Sequence, residues 1–311
     1  MSSVVIPGTA TAREATVRLA DVSLVTVVAL LLLLAGRAEA VCVEDDQHRT
    51  VCVDGPARRL VSLSPGATEL LFSAGAGGQV TAVSAWSDYP PQAANLPRVG
   101  DSNRLDLEAI VTLEPDLVVA WVDGNSATQL GKIEALGIPV FWLQPRTFTD
   151  IASAVERLAL LTGHEDIGAA RAADFLAAMA ELRNRYRDVP PVRVFYQVWH
   201  QPLMTINDDE LIGRAIRLCG GDNVFGHLPR LVPRLSTEAV LEANPDAIIT
   251  GGEDREDRRW LDQWQRFPEL KAVAVDNLFL VSPSLIQRPT LRMLEGSEEL
   301  CQVLEQARAR L

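Results

Sequence analysis

Histidine is scarce in this chain: His48, His164, His200 and His227 are the only four among 311 residues. No His-x-x-x-His pattern occurs, so the sequence offers no dedicated metal centre. Ser64-Pro65-Gly66 lacks the Gly-x-Ser-x-Gly frame of a nucleophile elbow. Gly75-Ala-Gly77-Gly78 follows a helical pattern instead of opening one, which makes it a turn and a poor phosphate cradle. Asp208-Asp209-Glu210 reads as a solvated turn and helix cap. The chain therefore offers no catalytic constellation and no catalytic cofactor site, and binding is the chemistry left to it.

Binding surfaces are easier to find. Six tryptophans stand in a chain that is only 5% aromatic. Trp86, Trp121 and Trp199 each fall at or just after the end of a predicted strand: Val80 to Ala85, Leu117 to Ala120 and Val192 to Val198. Parallel sheets bind ligands outside the carboxyl ends of their strands, where indoles form a flat apolar wall. Core packing is the competing reading for each, and Trp260 and Trp264, at helical spacing, are expected in the core. His200, beside Trp199, faces either the cleft or a structural partner.

The elements that must position these residues announce themselves by a repeat. Arg104-Leu-Asp-Leu-Glu-Ala-Ile-Val-Thr-Leu-Glu-Pro-Asp-Leu-Val-Val119 aligns without gaps with Arg234-Leu-Ser-Thr-Glu-Ala-Val-Leu-Glu-Ala-Asn-Pro-Asp-Ala-Ile-Ile249. In each copy Asp106 or Ser236 is a good N-cap, a short helix follows, and Pro115 or Pro245 precedes a β-branched strand. Glu108 and Glu238 occupy the second helical position of each copy, where a carboxylate suits the helix dipole. The repeat gives this pair a further meaning: one exposed acid on each half, a natural grip for arginines of a two-fold partner.

Arg59 to Leu63 and Val192 to Val198 read as the opening strands of the two halves. Helices follow at Thr68 to Ala74 and Leu211 to Cys219, each ending at a glycine. Alternating strands and helices predict parallel sheets with covered faces. Between the halves, Phe175, Met179, Leu182 and Tyr186 mark one face of a helix over Glu165 to Arg187, stopped by Pro190-Pro191. The expected fold is α/β: two Rossmann-like αβ lobes joined by a single long helix. The N-terminal lobe spans 41–164, the linking helix 165–189 and the C-terminal lobe 190–311.

Residues 1–40 read as a cleavable secretory signal, with an uncleaved anchor as the competing reading because the region before the apolar run is long and holds Glu14 and Asp21. Arg13 and Arg18 precede the uncharged run Val22 to Leu34, and Ala38-Glu39-Ala40 is a small-x-small site. Thirteen residues span about 20 Å, short of a hydrocarbon core of roughly 30 Å. The four cysteines, Cys42, Cys52, Cys219 and Cys301, then lie in an oxidising compartment. Chain order favours Cys42 with Cys52 across a short hairpin and Cys219 with Cys301; a zinc site competes weakly, lacking Cys-x-x-Cys. The formal charge of −12 argues against nucleic acid as a partner.

Leu63-Ser-Pro-Gly-Ala-Thr-Glu-Leu70, Trp86-Ser-Asp-Tyr-Pro-Pro91, Asp106-Leu-Glu108, Pro115-Asp-Leu-Val118 and Cys219-Gly-Gly-Asp-Asn-Val-Phe225 together resemble the cobalamin-binding proteins of ABC importers. These belong to a helical-backbone class of substrate-binding proteins that also carries haem and ferric siderophores. The resemblance runs from about Arg58 to the C-terminus. It implies a monomeric periplasmic protein that holds cobalamin as transported ligand between two lobes. Its partner would be a permease dimer with a cytoplasmic ATPase, reached through Glu108 and Glu238. Trp86 and Trp121 match aromatic pocket positions, Cys219 and Cys301 match a disulfide, and Ser64, Asp88, Trp199 and Arg288 are expected to face the ligand. Arg288 is also the basic residue a siderophore would use. Ser102 and Val232 depart from the pattern, standing where a cobalamin binder has tryptophans.

Overall fold

Two runs of short, β-branched strands give the computed structural model its frame; it describes residues 1–3, 40–252 and 255–311. Arg13, Arg18, the apolar run and most of the expected signal segment lie outside the described residues. The first strands, β1 (Val41–Glu44) and β2 (Thr50–Val53), form an antiparallel hairpin. Then come β3 (Leu60–Ser62), β4 (Val80–Val83), β5 (Leu117–Trp121) and β6 (Val140–Leu143), a parallel sheet of order β4-β3-β5-β6. In the second half β7 (Val192–Gln197), β10 (Gly221–Asn223), β11 (Ala247–Gly251) and β12 (Leu278–Val281) pair in the parallel order β10-β7-β11-β12. A small hairpin, β8 (Trp199–His200) and β9 (Leu203–Met204), follows β7.

The two sheets share one topology. In each, the chain leaves its first strand for one neighbour and returns to add the next two on the other side. The order therefore reverses between β3 and β5 and between β7 and β11, and the crevice outside the carboxyl ends there is where such sheets take ligands.

Strand residues alternate between two covered faces. Leu60, Leu117, Val119 and Phe141 pack with the helices Pro65–Ser73 and Phe148–Thr162, whereas Val61, Val118, Ala120 and Trp142 pack with Leu107–Thr112 and Ala127–Glu134. Both faces being covered explains why these strands read as continuous apolar runs instead of alternating ones.

The linking helix runs Glu165–Tyr186, with Arg187 as its C-cap. Twenty-two residues reach about 33 Å. Its buried side includes Phe175, Met179, Leu182 and Tyr186, the four residues that the sequence pattern singles out. Gly168 lets it lie close against the preceding helix, because a Cβ there would stand 2.3 Å from the Ala159 Cβ. One continuous apolar core extends from the first sheet past this helix to the second sheet.

The repeat turns out to be a hydrogen-bonding device. Asp106 and Ser236 each cap their helix, accepting from Ala109 N at 3.0 Å and Ala239 N at 3.3 Å. Glu114 and Asn244 take left-handed φ values of 46° and 43°, ending the helices Leu107–Thr112 and Thr237–Ala243. The repeated aspartates then reach the opening strand of their own sheet. Asp116 accepts from Arg59 N at 2.9 Å, and Asp246 accepts from Arg193 N at 3.0 Å. Arg59 and Arg193 in turn donate to the last carbonyls of these helices, Leu113 and Ala243.

Two boundaries differ from the sequence expectation by more than one residue. The first helix begins at Pro65, not Thr68, because Ser64 caps it and proline is favoured in a first turn. The strand expected over Val80 to Ala85 ends at Val83. The cysteines pair as chain order favours: Cys42 faces Cys52 across the hairpin with Cα atoms 4.1 Å apart, and Cys219 joins Cys301 at 4.8 Å. The hairpin turn also covers the free edge of β6, where Asp46 N donates to Trp142 O and Arg49 to Val140 O.

Candidate functional site

The strands β3 and β5 lie side by side, and the residues at their carboxyl ends are Ser64 and Trp121. Ser64 Oγ accepts from Ala67 N at 3.1 Å, so its hydroxyl serves first as a helix cap. Trp121 stands at the end of β5, 38% exposed after four fully buried residues. Its position is set by two neighbours that the sequence reading did not single out. Asn125 accepts from Trp121 N at 2.7 Å and donates to Leu63 O at 3.1 Å, tying the ends of both strands together. Gly124 sits under the indole, where a Cβ would come within 2.0 Å of the ring.

Ser64 and Trp121 line a cavity of about 190 Å³ with Gly66, Leu70, Leu143, Pro145, Gln287, Arg288 and Pro289. Both halves of the chain contribute to it. A larger groove of about 400 Å³ lies along the linking helix, lined by Leu176, Arg183, Arg214 and Arg217, and holds none of the candidate residues. The smaller, apolar cavity at the strand ends is the one the topology singles out.

Arg288 reaches from the second half to the first. It donates to Asp88 Oδ1 at 2.7 Å, to Glu69 Oε1 at 2.9 Å and to Trp86 O at 3.4 Å. Bonding to Arg288 holds the Asp88 carboxyl below its ordinary range. Burial works against the Arg288 charge, but its bonds to Asp88 and Glu69 outweigh that and raise its pKa. The guanidinium is thus already neutralised by two carboxylates.

Trp86 is the most unusual residue here. Its φ is 65°, a region that bulky residues avoid, and its side chain is 80% exposed. A large apolar side chain held in water by a disfavoured backbone is a mark of a contact surface.

Trp199 is 47% exposed and belongs to an aromatic group with His200 and Trp260. Its ring centroid lies 5.5 Å from His200 and 5.2 Å from Trp260, and the last two are 4.7 Å apart. His200 Nδ1 is buried and has no hydrogen-bond partner among the described residues, while its ring packs against both indoles. The helical spacing of Trp260 and Trp264 suggested core for both. Trp264 is core, 4% exposed, with its Nε1 donating to Gln197 at 2.8 Å. Trp260 is only half-buried and stacks on the surface group instead, because it lies one turn nearer the helix start.

Glu108 and Glu238 are exposed at the second positions of the helices Leu107–Thr112 and Thr237–Ala243. Hydrogen bonds from its own backbone N–H and from Ser236 lower the Glu238 pKa, keeping it an anion. The expected turn at Asp208-Asp209-Glu210 caps the Leu211–Leu218 helix: Glu210 accepts from Ile212 N at 2.6 Å. Burial raises the Glu210 pKa. Among the described residues no cluster of three or more His, Cys, Asp or Glu side chains could hold a metal ion.

Two sheets of one topology, a linking helix and a cavity fed from both halves define a two-lobed binding protein. The profile of the periplasmic binding protein family matches residues 60–284, and the chain belongs to that family. It is 36% identical over 250 residues to the vitamin B12-binding protein of Vibrio cholerae serotype O1, covering 80% of this chain and 90% of that one. The crystal structure of the periplasmic vitamin B12 binding protein BtuF of Vibrio cholerae superposes with a TM-score of 0.74, covering 81% of this chain and 98% of that chain. The periplasmic heme-binding protein RhuT from Roseiflexus sp. RS-1, at 22% identity and a TM-score of 0.72, covers 81% of this chain and 99% of that chain, and shares the fold. These relatives are binding proteins, and this chain is a binding protein rather than an enzyme.

Proposed function

We propose that this chain is the periplasmic substrate-binding subunit of an ABC importer that captures cobalamin or a related corrinoid between its lobes. The observation that carries the reading is the cavity at the ends of β3 and β5, built from both halves and lined by the exposed Trp121 indole. Its volume is below the roughly 300–1,000 Å³ usual for a small-molecule site. It therefore takes one edge of a large ligand, while Trp86 and Trp199 supply apolar wall outside it. The likeness to vitamin B12-binding proteins at 36% identity supports the same ligand. Ser64, Asp88 and Arg288 complete the polar rim.

Delivery follows from the repeat. Glu108 and Glu238, one per lobe and both exposed, dock on arginines of a permease dimer driven by a cytoplasmic ATPase. The lobes are residues 41–164 and 190–311 with the helix region 165–189 between them, and the mature protein is a monomer released by cleavage after Ala40.

One observation favours a second ligand class: the aromatic group of His200, Trp199 and Trp260 would suit the flat face of haem. A ferric siderophore is less well served, because Arg288 is neutralised by Asp88 and Glu69. Native mass spectrometry after incubation with cyanocobalamin or haemin separates these. Addition of one cyanocobalamin mass, and no haemin, supports the proposal; the reverse pattern overturns it.

A further inference from the structure

Glu69 is a carboxylate on the helix Pro65–Ser73 of the first lobe, and it is only 2% exposed. Among the described residues its three hydrogen bonds all come from one short segment of the second lobe. Arg288 Nη1 donates to Oε1 at 2.9 Å, Thr290 Oγ1 to Oε2 at 2.9 Å, and Arg292 Nη1 to Oε1 at 3.4 Å. The donors stand at positions 288, 290 and 292, in the turns that lead into the last helix. The contact is reinforced around it. The Arg292 guanidinium lies 3.8 Å from the centroid of the Tyr89 ring, and Arg288 also holds Asp88. Pro289 packs beside Gly66, on the first turn of the same helix.

We propose that Glu69 is a positioning residue: a latch that fixes the angle between the lobes and thereby sets the cleft the ligand enters. The proposal rests on the ligand-binding reading above and extends it to lobe geometry. A buried, multiply bonded carboxylate contributes little net stability compared with an apolar replacement, but it strongly favours one geometry. A small opening or rotation would break bonds to Glu69 before water could replace them, leaving a desolvated charge. The linking helix alone does not impose this restraint, because it joins the lobes on one side only. Pocket residues Arg288 and Pro289 are carried by the latched segment, so the cavity wall moves with it.

The test measures lobe geometry directly. Nitroxide labels on cysteines introduced at exposed Lys132 and Glu242, one on each lobe, give an inter-lobe distance distribution by pulsed electron resonance. The otherwise wild-type protein should show one narrow distribution before cyanocobalamin is added. Glu69→Ala should broaden it, and saturating cyanocobalamin should narrow it again. If the competent arrangement falls to about a tenth of the population, the apparent Kd rises about tenfold. Glu69→Gln, which keeps the shape, guards against loss of folding and should broaden the distribution less. An unchanged distribution in both folded variants overturns the latch, whatever happens to affinity. Because the ligand-free distances need no cobalamin, a wild-type protein that fails to bind it would defeat the functional reading and leave this test intact.

Discussion

Removing the Trp86 indole separates a contact surface from an accident of the loop. The side chain is 80% exposed, and a buried tryptophan removes up to about 250 Å² from water, so about 200 Å² is available for a ligand to cover. A planar ligand lies against one face and covers about half of that. At about 25 cal/mol per Å², the contact is worth about 2.5 kcal/mol, or about a 70-fold change in Kd. Trp86→Gly is the variant to use, since glycine accepts the φ of 65° without strain and the fold should keep its melting temperature. Trp86→Phe retains most of the face and should lose less than tenfold. Fluorescence or calorimetric titration with cyanocobalamin gives both values. A folded Trp86→Gly protein within threefold of wild-type affinity would refute the assignment of this indole to the ligand.

Exchanging both Glu108 and Glu238 for alanine should abolish uptake in a transport assay while leaving Kd within about twofold, since neither side chain lines the cavity. Cys219→Ser with Cys301→Ser removes a link across 82 residues and should lower stability by about 4 kcal/mol in urea unfolding, with ligand affinity kept once the protein is folded. Asp88 has a folded-state pKa held below its ordinary 3.8 by Arg288, so its contribution is complete above that value and is lost as pH falls further, through the depressed pKa. The contribution is small because the carboxylate is largely exposed; the melting-temperature gap between wild type and Asp88→Asn should be constant well above pH 3.8 and narrow as pH falls below it.

Much of this was legible in the residues. The gapless repeat carried its own explanation, because a cap, a left-handed residue, a proline and an aspartate are local requirements of one helix–turn–strand unit. Period alone marked the buried face of the linking helix, and chain order favoured both disulfides. Glu69 was not legible. Its helix reads as ordinary, and its partners lie more than 200 residues away, so only the folded lobes bring Arg288, Thr290 and Arg292 to it. Gly124 and Asn125 were missed for a related reason: their roles depend on where the Trp121 indole lies, which no spacing encodes. Trp260 was misplaced because helical spacing with Trp264 says they share a face, not that both lie deep enough to be covered.

The measurement closest to the central claim is calorimetric titration of residues 41–311 with cyanocobalamin. One site per chain with a sub-micromolar Kd is expected, weaker than about 8 kcal/mol of binding free energy being too little for a dedicated capture protein. A folded protein that releases no heat with cyanocobalamin at several temperatures, yet binds haemin one to one, would contradict it.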